Sequence, residues 1–385
     1  MKLPFDENKL ETLMDEIDAD LLLVSSKENV HYFLGGYRFF FFSHKDALGV
    51  SRYLPLLGYP KSRKEDTFYI GNAMEVWQQE VEPFWIKNIL NNQWLSDQAG
   101  IDAANFIRKI GLENGTIAIE KAFLPADTFD SLQKELPNAK FVDAIWALEE
   151  LRVIKTEEEL TMLKTASEKI VECMTDVMQT TLSGTTTYEI AETMRRKETL
   201  MGLDFEYCLT STGPSYNRAP SNAEWDKGGI ISLDSGGNWK GYLGDLCRMG
   251  VMGEPTPLMI ELLDEIKSIQ SAARAVVKPG VTGKEIFESA LEEQSKCVHN
   301  DQIVFLAHGM GMIQHEAPHL TSEGVVPYPG TYSERPLSPG MVLSIETDMK
   351  NPDVGFVKLE DTIVVTEDGH EAYGDQSRDW VINQN

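Results

Sequence analysis

Five side chains in the second half of the chain are placed where they could do metal chemistry. Asp234 ends an apolar run, Ile230-Ile-Ser-Leu-Asp234. Asp245 follows eleven residues later, beyond a Gly236-Gly237 pair that reads as the turn of a hairpin. Such spacing lets two strands carry both carboxylates toward one point. His308 lies in Ala307-His-Gly-Met-Gly-Met312, where glycines allow the backbone to approach a ligand closely. Glu346 interrupts the apolar strand Met341-Val-Leu-Ser-Ile-Glu-Thr347, and Glu360 interrupts another fourteen residues later. A carboxylate inside an apolar strand is costly unless it is paired or holds a cation. Taken singly, each could also be a strand-end residue facing water. Taken together, four carboxylates and one imidazole form a hard, mainly oxygen donor set. It suits a pair of divalent cations (manganese, iron, cobalt or zinc) better than a closed structural zinc. Two ions about 3.5 to 4 Å apart need bridging carboxylates, and the set contains enough.

Something must hold these residues in place, and the surrounding sequence reads as strands and helices. β-like segments run over residues 207–211, 229–234, 241–252, 341–349 and 355–366. Helical patterns run over 187–201, 257–277 and 284–297. Before them, Thr156 and Glu159 form a capping box. Leu160, Leu163, Ser167, Ile170, Met174 and Val177 then follow one helical face. The second half is therefore mixed α and β, with long antiparallel strands. The first ~145 residues alternate short apolar strands, such as residues 19–26, 66–72 and 115–120, with helical stretches, as a small α/β domain does. The expected division is 1–148 and 149–385. Two domains also follow from the length of 385 residues at about 150 per domain.

The chain carries 61 Asp+Glu against 35 Lys+Arg, a formal net charge of -26. That charge argues against nucleic acid, whose phosphates need Lys and Arg, and against an anionic membrane surface. No apolar run reaches the ~18 to 20 residues of a membrane span. The opening residues are too acidic for a signal or transit peptide. Four scattered cysteines suit reduced thiols in a cytoplasmic protein.

The order and spacing of the five residues resemble the pita-bread metallopeptidases, which include methionine aminopeptidases, Xaa-Pro aminopeptidases, prolidases and creatinase-like enzymes. The matching stretches are Asp234 to Asp245 with Arg248, His308-Gly-Met-Gly with His315-Glu-Ala-Pro318, Glu346, and Glu360-Asp-Thr362. The resemblance covers roughly residues 150–385. Asn29, Tyr32 and Gly35 give the first domain the general character of the prolidase/creatinase branch. The resemblance implies an α+β architecture, with a small creatinase-like domain before a pita-bread domain. It implies a dinuclear metallohydrolase that cleaves an amide C–N bond, most plainly in an Xaa-Pro peptide. Asp234 would chelate one ion, Asp245 and Glu360 would bridge, and His308 and Glu346 would hold the second. Glu346 would also serve as general base and acid, and His315 would steady the oxyanion. His319 would line the substrate pocket. The resemblance further implies a homodimer, with the aromatic run Tyr37 to Phe42 as the candidate contact and Arg38 offered to the partner subunit or to the substrate. The alternative for that run is a buried strand.

Three departures bear on the substrate. Ser221 stands where the prolidase branch has a histidine, and Tyr216, Asn217 or Arg218 could take its part. Glu346 is followed by Thr347-Asp348 instead of Pro-Gly. Lys358 replaces an arginine two residues before Glu360, keeping the charge but losing the bidentate fork, and is expected to meet the substrate. These departures leave open a hydrolase or lyase of a small metabolite (an ectoine- or creatine-like compound) and a non-catalytic binding module.

Overall fold

The computed structural model describes residues 3–39 and 53–385. The chain divides into two compact units, Met1–Arg152 and Val153–Asn385. The sequence placed the division after residue 148; a helix over Ile145–Arg152 carries the first unit slightly further.

The first unit is built on a mixed six-stranded sheet. Its described elements run α1 (Glu7–Glu16), β1 (Leu21–Val24), α2 (Lys27–Phe33), β2 (Leu56–Pro60), β3 (Phe68–Gly71), α3 (Glu75–Val81) and β4 (Asn88–Asn91). Then come α4 (Ser96–Lys109), β5 (Thr116–Ile119), α5 (Ala126–Glu135), β6 (Lys140–Asp143) and α6 (Ile145–Arg152). The strand order is β4-β3-β2-β1-β5-β6. Successive residues of β1 point to opposite faces. Leu22 and Val24 pack with Leu10, Met14 and Phe33, while Leu21 and Leu23 pack with Ala103, Ile107 and Leu132. Both faces are covered, which is why β1 is apolar at every position.

Of the two readings of the aromatic run after α2, its described part takes the buried one, though without forming a strand. Tyr37 and Phe39 are buried in the core of their own unit, and the Tyr37 hydroxyl donates to Glu75 at 3.0 Å. Arg38 between them is half-buried. Phe40 to Phe42 lie outside the described residues.

The second unit runs α7 (Glu157–Thr180), β7 (Thr185–Thr186), α8 (Thr187–Leu200), β8 (Asp204–Thr212), β9 (Glu224–Trp225), β10 (Ile230–Trp239) and β11 (Tyr242–Met252). It continues with α9 (Pro257–Val276), α10 (Gly283–Gln294), β12 (Ile303–Gly309), β13 (Val342–Asn351), β14 (Gly355–Val365), β15 (His370–Tyr373) and β16 (Val381–Asn383). An eight-stranded sheet has the path β12-β13-β14-β11-β10-β8, with β15 on β14 and β16 on β11. The expected capping box of α7 is present, and Ile170 and Met174 on its apolar face pack against Ile231, Leu233 and Leu246. Gln270 of α9 donates to the carbonyls of Ile345 and Leu359. Helices therefore cover the odd-numbered side of β13 and β14, leaving the even-numbered side chains to the other face.

The hairpin of β10 and β11 turns at Lys240-Gly241, both at positive φ, and not at Gly236-Gly237. A two-residue turn with positive φ at both positions matches the twist of the strands. Gly236 and Gly237 lie inside β10, at a shift in its register with β8. A Cβ on Gly236 would lie 2.3 Å from the Tyr207 ring, so the glycine is what lets that ring cross the strand.

Glu198 of α8 is wholly buried and accepts a 2.8 Å hydrogen bond from Ser235. Burial pushes its pKa from 4.5 up to about 8. Between those values the folded chain keeps a proton that the unfolded chain has lost. Its contribution therefore weakens stability as pH rises through that window. Glu198→Gln should melt higher than the wild type at pH 8 to 9, with the gap closing toward pH 4.5. A gap independent of pH in thermal unfolding would count against this.

Candidate metal centre

Strand register places the five residues on one sheet face. Asp234 pairs with Cys247, Cys247 with Glu360, and Glu360 with Glu346. These four form one row across β10, β11, β14 and β13. Two residues along each strand lies a second row: Gly236 opposite Asp245 on β10 and β11, and Thr362 opposite Ser344 opposite His308 on β14, β13 and β12. Asp234 and Asp245 are thus diagonal neighbours on the hairpin, as their spacing suggested. Buried Arg248 ties the rows together from the opposite face. Its guanidinium donates to the Glu360 carbonyl at 2.8 Å and lies 3.1 Å from Asp361.

Ligand atoms of Asp245, His308 and Glu360 all lie within 4.8 Å of one another. Asp245 Oδ2 and His308 Nε2 are buried and have no hydrogen-bond partner among the described residues. Buried polar atoms without partners are costly, and two on one spot suit a cation. The residues present therefore fit a divalent ion held by carboxylate oxygen and imidazole nitrogen. Glu346 Oε1 lies 3.6 Å from His308 Nε2, at the margin of the group.

Asp234 and Glu346 already have a cation. Lys358 is buried among the carboxylates, with Nζ 2.7 Å from Asp234 Oδ2, 2.8 Å from Glu360 Oε2, and against Glu346 Oε2. The Arg218 guanidinium also pairs with Asp234 Oδ2. Lys358 was expected at the substrate; it lies within the ligand set instead, because it shares the even-numbered face of β14 with Glu360.

The electrostatics follow from crowding. Burial, and then the charge of Glu360, push the Asp245 and Glu346 carboxyls up. Asp234 is also raised by burial, against the pull of Lys358. Burial would raise Glu360 too, but Lys358 and His308 hold it below the usual range. Burial works against protonated His308, yet Glu360, Glu346 and Asp245 lift it to about 9. A bound ion would replace that proton, since a ligating imidazole must be neutral.

The segment after β12 folds straight back. Gly309 bridges to Glu316, and a Cβ on Gly309 would lie 2.3 Å from Pro318 N. A buried ion pair, Lys155 to Glu316 at 3.2 Å, fastens the return. The return stacks the His315 ring on His308, with centroids 4.0 Å apart. Burial, and then His308, lower the His315 pKa to about 4, so its ring is neutral near pH 7. Its Nδ1 meets the Tyr328 hydroxyl. Burial raises the Tyr328 phenol, which keeps its proton to donate. A hydroxyl donating to Nδ1 leaves the imidazole proton on Nε2. Tyr328→Phe should therefore lower kcat about 10- to 100-fold, the range for groups that orient a functional imidazole, with KM little changed. An unchanged kcat would deny Tyr328 that part.

The remaining expected residues scatter. His319 is buried beside Tyr328, with ring centroids 5.8 Å apart, and so belongs to the histidine group. Tyr216 is exposed. Ser221 is tied to the start of α8, its N–H donating to Thr187 Oγ1 at 2.8 Å. Arg38 lies in the first unit. Two residues escaped the sequence reading. Tyr207 donates to Asp245 and receives a 2.9 Å hydrogen bond from Gln314. Its signal was Gly236 opposite it, a gap for a ring. Tyr328 sits in a loop and left no spacing signal.

Comparison with known proteins agrees with this geometry. Residues 161–367 match the model of metallopeptidase family M24, and residues 8–154 that of the creatinase/prolidase N-terminal domain. The chain belongs to metallopeptidase family M24. It is a metallohydrolase with the pita-bread fold, and membership of the family implies divalent metal ions. An Xaa-Pro dipeptidase of Pyrococcus furiosus is 25% identical over 374 residues, 94% of this chain and 95% of that one. An uncharacterised peptidase of Bacillus subtilis, YqhT, is 24% identical over 97% of this chain and 99% of its own. A dipeptidase structure from Pyrococcus horikoshii superposes with TM-score 0.82 at 24% identity, covering 98% of this chain and 99% of that one. Among the described residues, no helix is long and apolar enough to cross a membrane.

Proposed function

We propose that this M24 metallopeptidase hydrolyses Xaa-Pro peptides, as a dipeptidase or aminopeptidase. The observation that carries the reading is the pair of orphaned buried atoms, Asp245 Oδ2 and His308 Nε2, set among the ordered carboxylates. The relatives named Xaa-Pro dipeptidase support the substrate class. Asp234, Asp245, His308, Glu346 and Glu360 are the proposed ligands of two divalent ions. Manganese is the first to test, given a donor set of four carboxylates and one imidazole. When bound, the ions supply Lewis acidity and make the attacking water more acidic.

The chain's own residues do the rest. Glu346 takes the proton of the attacking water and returns it to the leaving nitrogen. His315 offers Nε2–H to the developing oxyanion. His319 and Tyr328 wall the same side, and Tyr216 offers an exposed ring to the substrate. We further propose a cytoplasmic homodimer of two-domain subunits. Four free cysteines support the compartment, and the likeness to the prolidase branch supports the dimer.

The test is hydrolysis of Ala-Pro by the full-length protein before chelation, after it, and after manganese is restored. Activity should vanish with the metal and return with it. Turnover unaffected by chelation, or none with any Xaa-Pro dipeptide, would overturn the reading.

A further inference from the structure

Lys358 places an ammonium where three carboxylate oxygens converge. Asp234 Oδ2 and Glu360 Oε2 lie 2.7 and 2.8 Å from Nζ, and Glu346 Oε2 is also in contact. The side chain is almost wholly buried. Its three partners are three of the five proposed metal ligands. They are also the ones left satisfied, whereas Asp245 and His308 keep orphaned atoms. The two halves of the ligand set are therefore unequal.

Charge points the same way. In the protonation state that ligation requires, with four ionised carboxyls and a neutral His308, Asp234, Asp245, Glu346 and Glu360 against Lys358 and Arg218 leave two formal negative charges. One divalent ion beside Asp245, His308 and Glu360 neutralises that remainder. A second ion would have to share Asp234, Glu346 and Glu360 with a fixed ammonium in a buried setting, where like charges repel strongly.

We propose that Lys358 is a built-in competitor for the second metal ion, so that the chain loads its two ions in unequal steps. The first binds at Asp245, His308 and Glu360. The second binds only as Lys358 withdraws from Asp234 and Glu346. This rests on the metallohydrolase reading above. An arginine at this position would not compete equally. Its charge is spread over a planar fork that pairs along carboxylate edges, whereas an ammonium is a compact point charge.

The experiment strips the full-length protein with a chelator, reloads it with manganese, and counts retained ions by mass spectrometry. Calorimetric titration with manganese follows the steps. Wild type should retain one ion per chain, and Lys358→Met two. The second dissociation constant should fall at least about tenfold in the variant, a change of about 1.4 kcal/mol. Two equal steps in wild type, or an unchanged second step in Lys358→Met, would overturn the proposal. Should Lys358→Met fail to fold, Lys358→Arg decides: a tighter second step supports competition, and an unchanged one overturns it. No ion retained by any folded form would overturn the metallohydrolase reading itself, which two equal steps in wild type would leave standing.

Discussion

Glu360→Gln is expected to abolish Xaa-Pro hydrolysis and to cost the protein its metal. Glu360 is the carboxylate common to both halves of the centre. It lies with Asp245 and His308 in one group, and it pairs with Lys358 alongside Asp234 and Glu346 in the other. Its Oε1 is further steadied by a 2.7 Å hydrogen bond from Ser344. Glutamine keeps the shape and removes the charge. A bound metal contributes several kcal/mol to the transition state, so a loss of at least about 10³-fold in kcat/KM is expected. Metal retained after desalting should fall in parallel. Lys358 also loses a partner, but Asp234 and Glu346 remain to neutralise it, so the fold should survive. Circular dichroism would check that. A variant that kept both its metal and its activity would remove Glu360 from the centre.

His315→Ala is expected to lower kcat about 10²- to 10³-fold, the cost of removing one oxyanion donor, and to leave metal content intact. The separation of the two effects is the informative part. His315 stacks on His308 but makes no bond that an ion would need. A loss of metal together with activity would show that its part is to hold His308. A drop in kcat with metal retained would place it at the reacting carbonyl. The effect should exceed that of Tyr328→Phe, because the phenol acts through the imidazole.

Much of this was legible in the sequence, for physical reasons that differ by residue. The capping box at Thr156 and Glu159 and the apolar face of α7 are local signals, and local signals survive folding. Asp234, Glu346 and Glu360 stood out because carboxylates in apolar strands demand a partner. The hairpin turn was misplaced because Gly236-Gly237 is a strong turn signal by composition, while Lys240-Gly241 lies closer to the strand ends. Those two glycines serve packing and register instead. Lys358 was recognised as a departure but its place was not, although its i, i+2 relation to Glu360 puts both on one face. Tyr37 and Phe39 were legible as a buried run or a docking loop, and composition alone could not choose between them.

The two-row layout of the centre also limits how such a chain can change its length. Every contributing side chain sits an even number of residues from its neighbours along its strand. Deleting one residue from β14 before Lys358 would bring Leu359, Asp361 and Ile363 onto the active face in place of Lys358, Glu360 and Thr362, if the start of the strand held its place. Three functional positions would be lost in one step, and no single reversion by substitution could restore them. Length changes can therefore be absorbed in the connections between strands, such as the long segment from His319 to Met341, but not within the strands. Diversification within this scaffold must proceed by loop insertion and by point exchange at even positions.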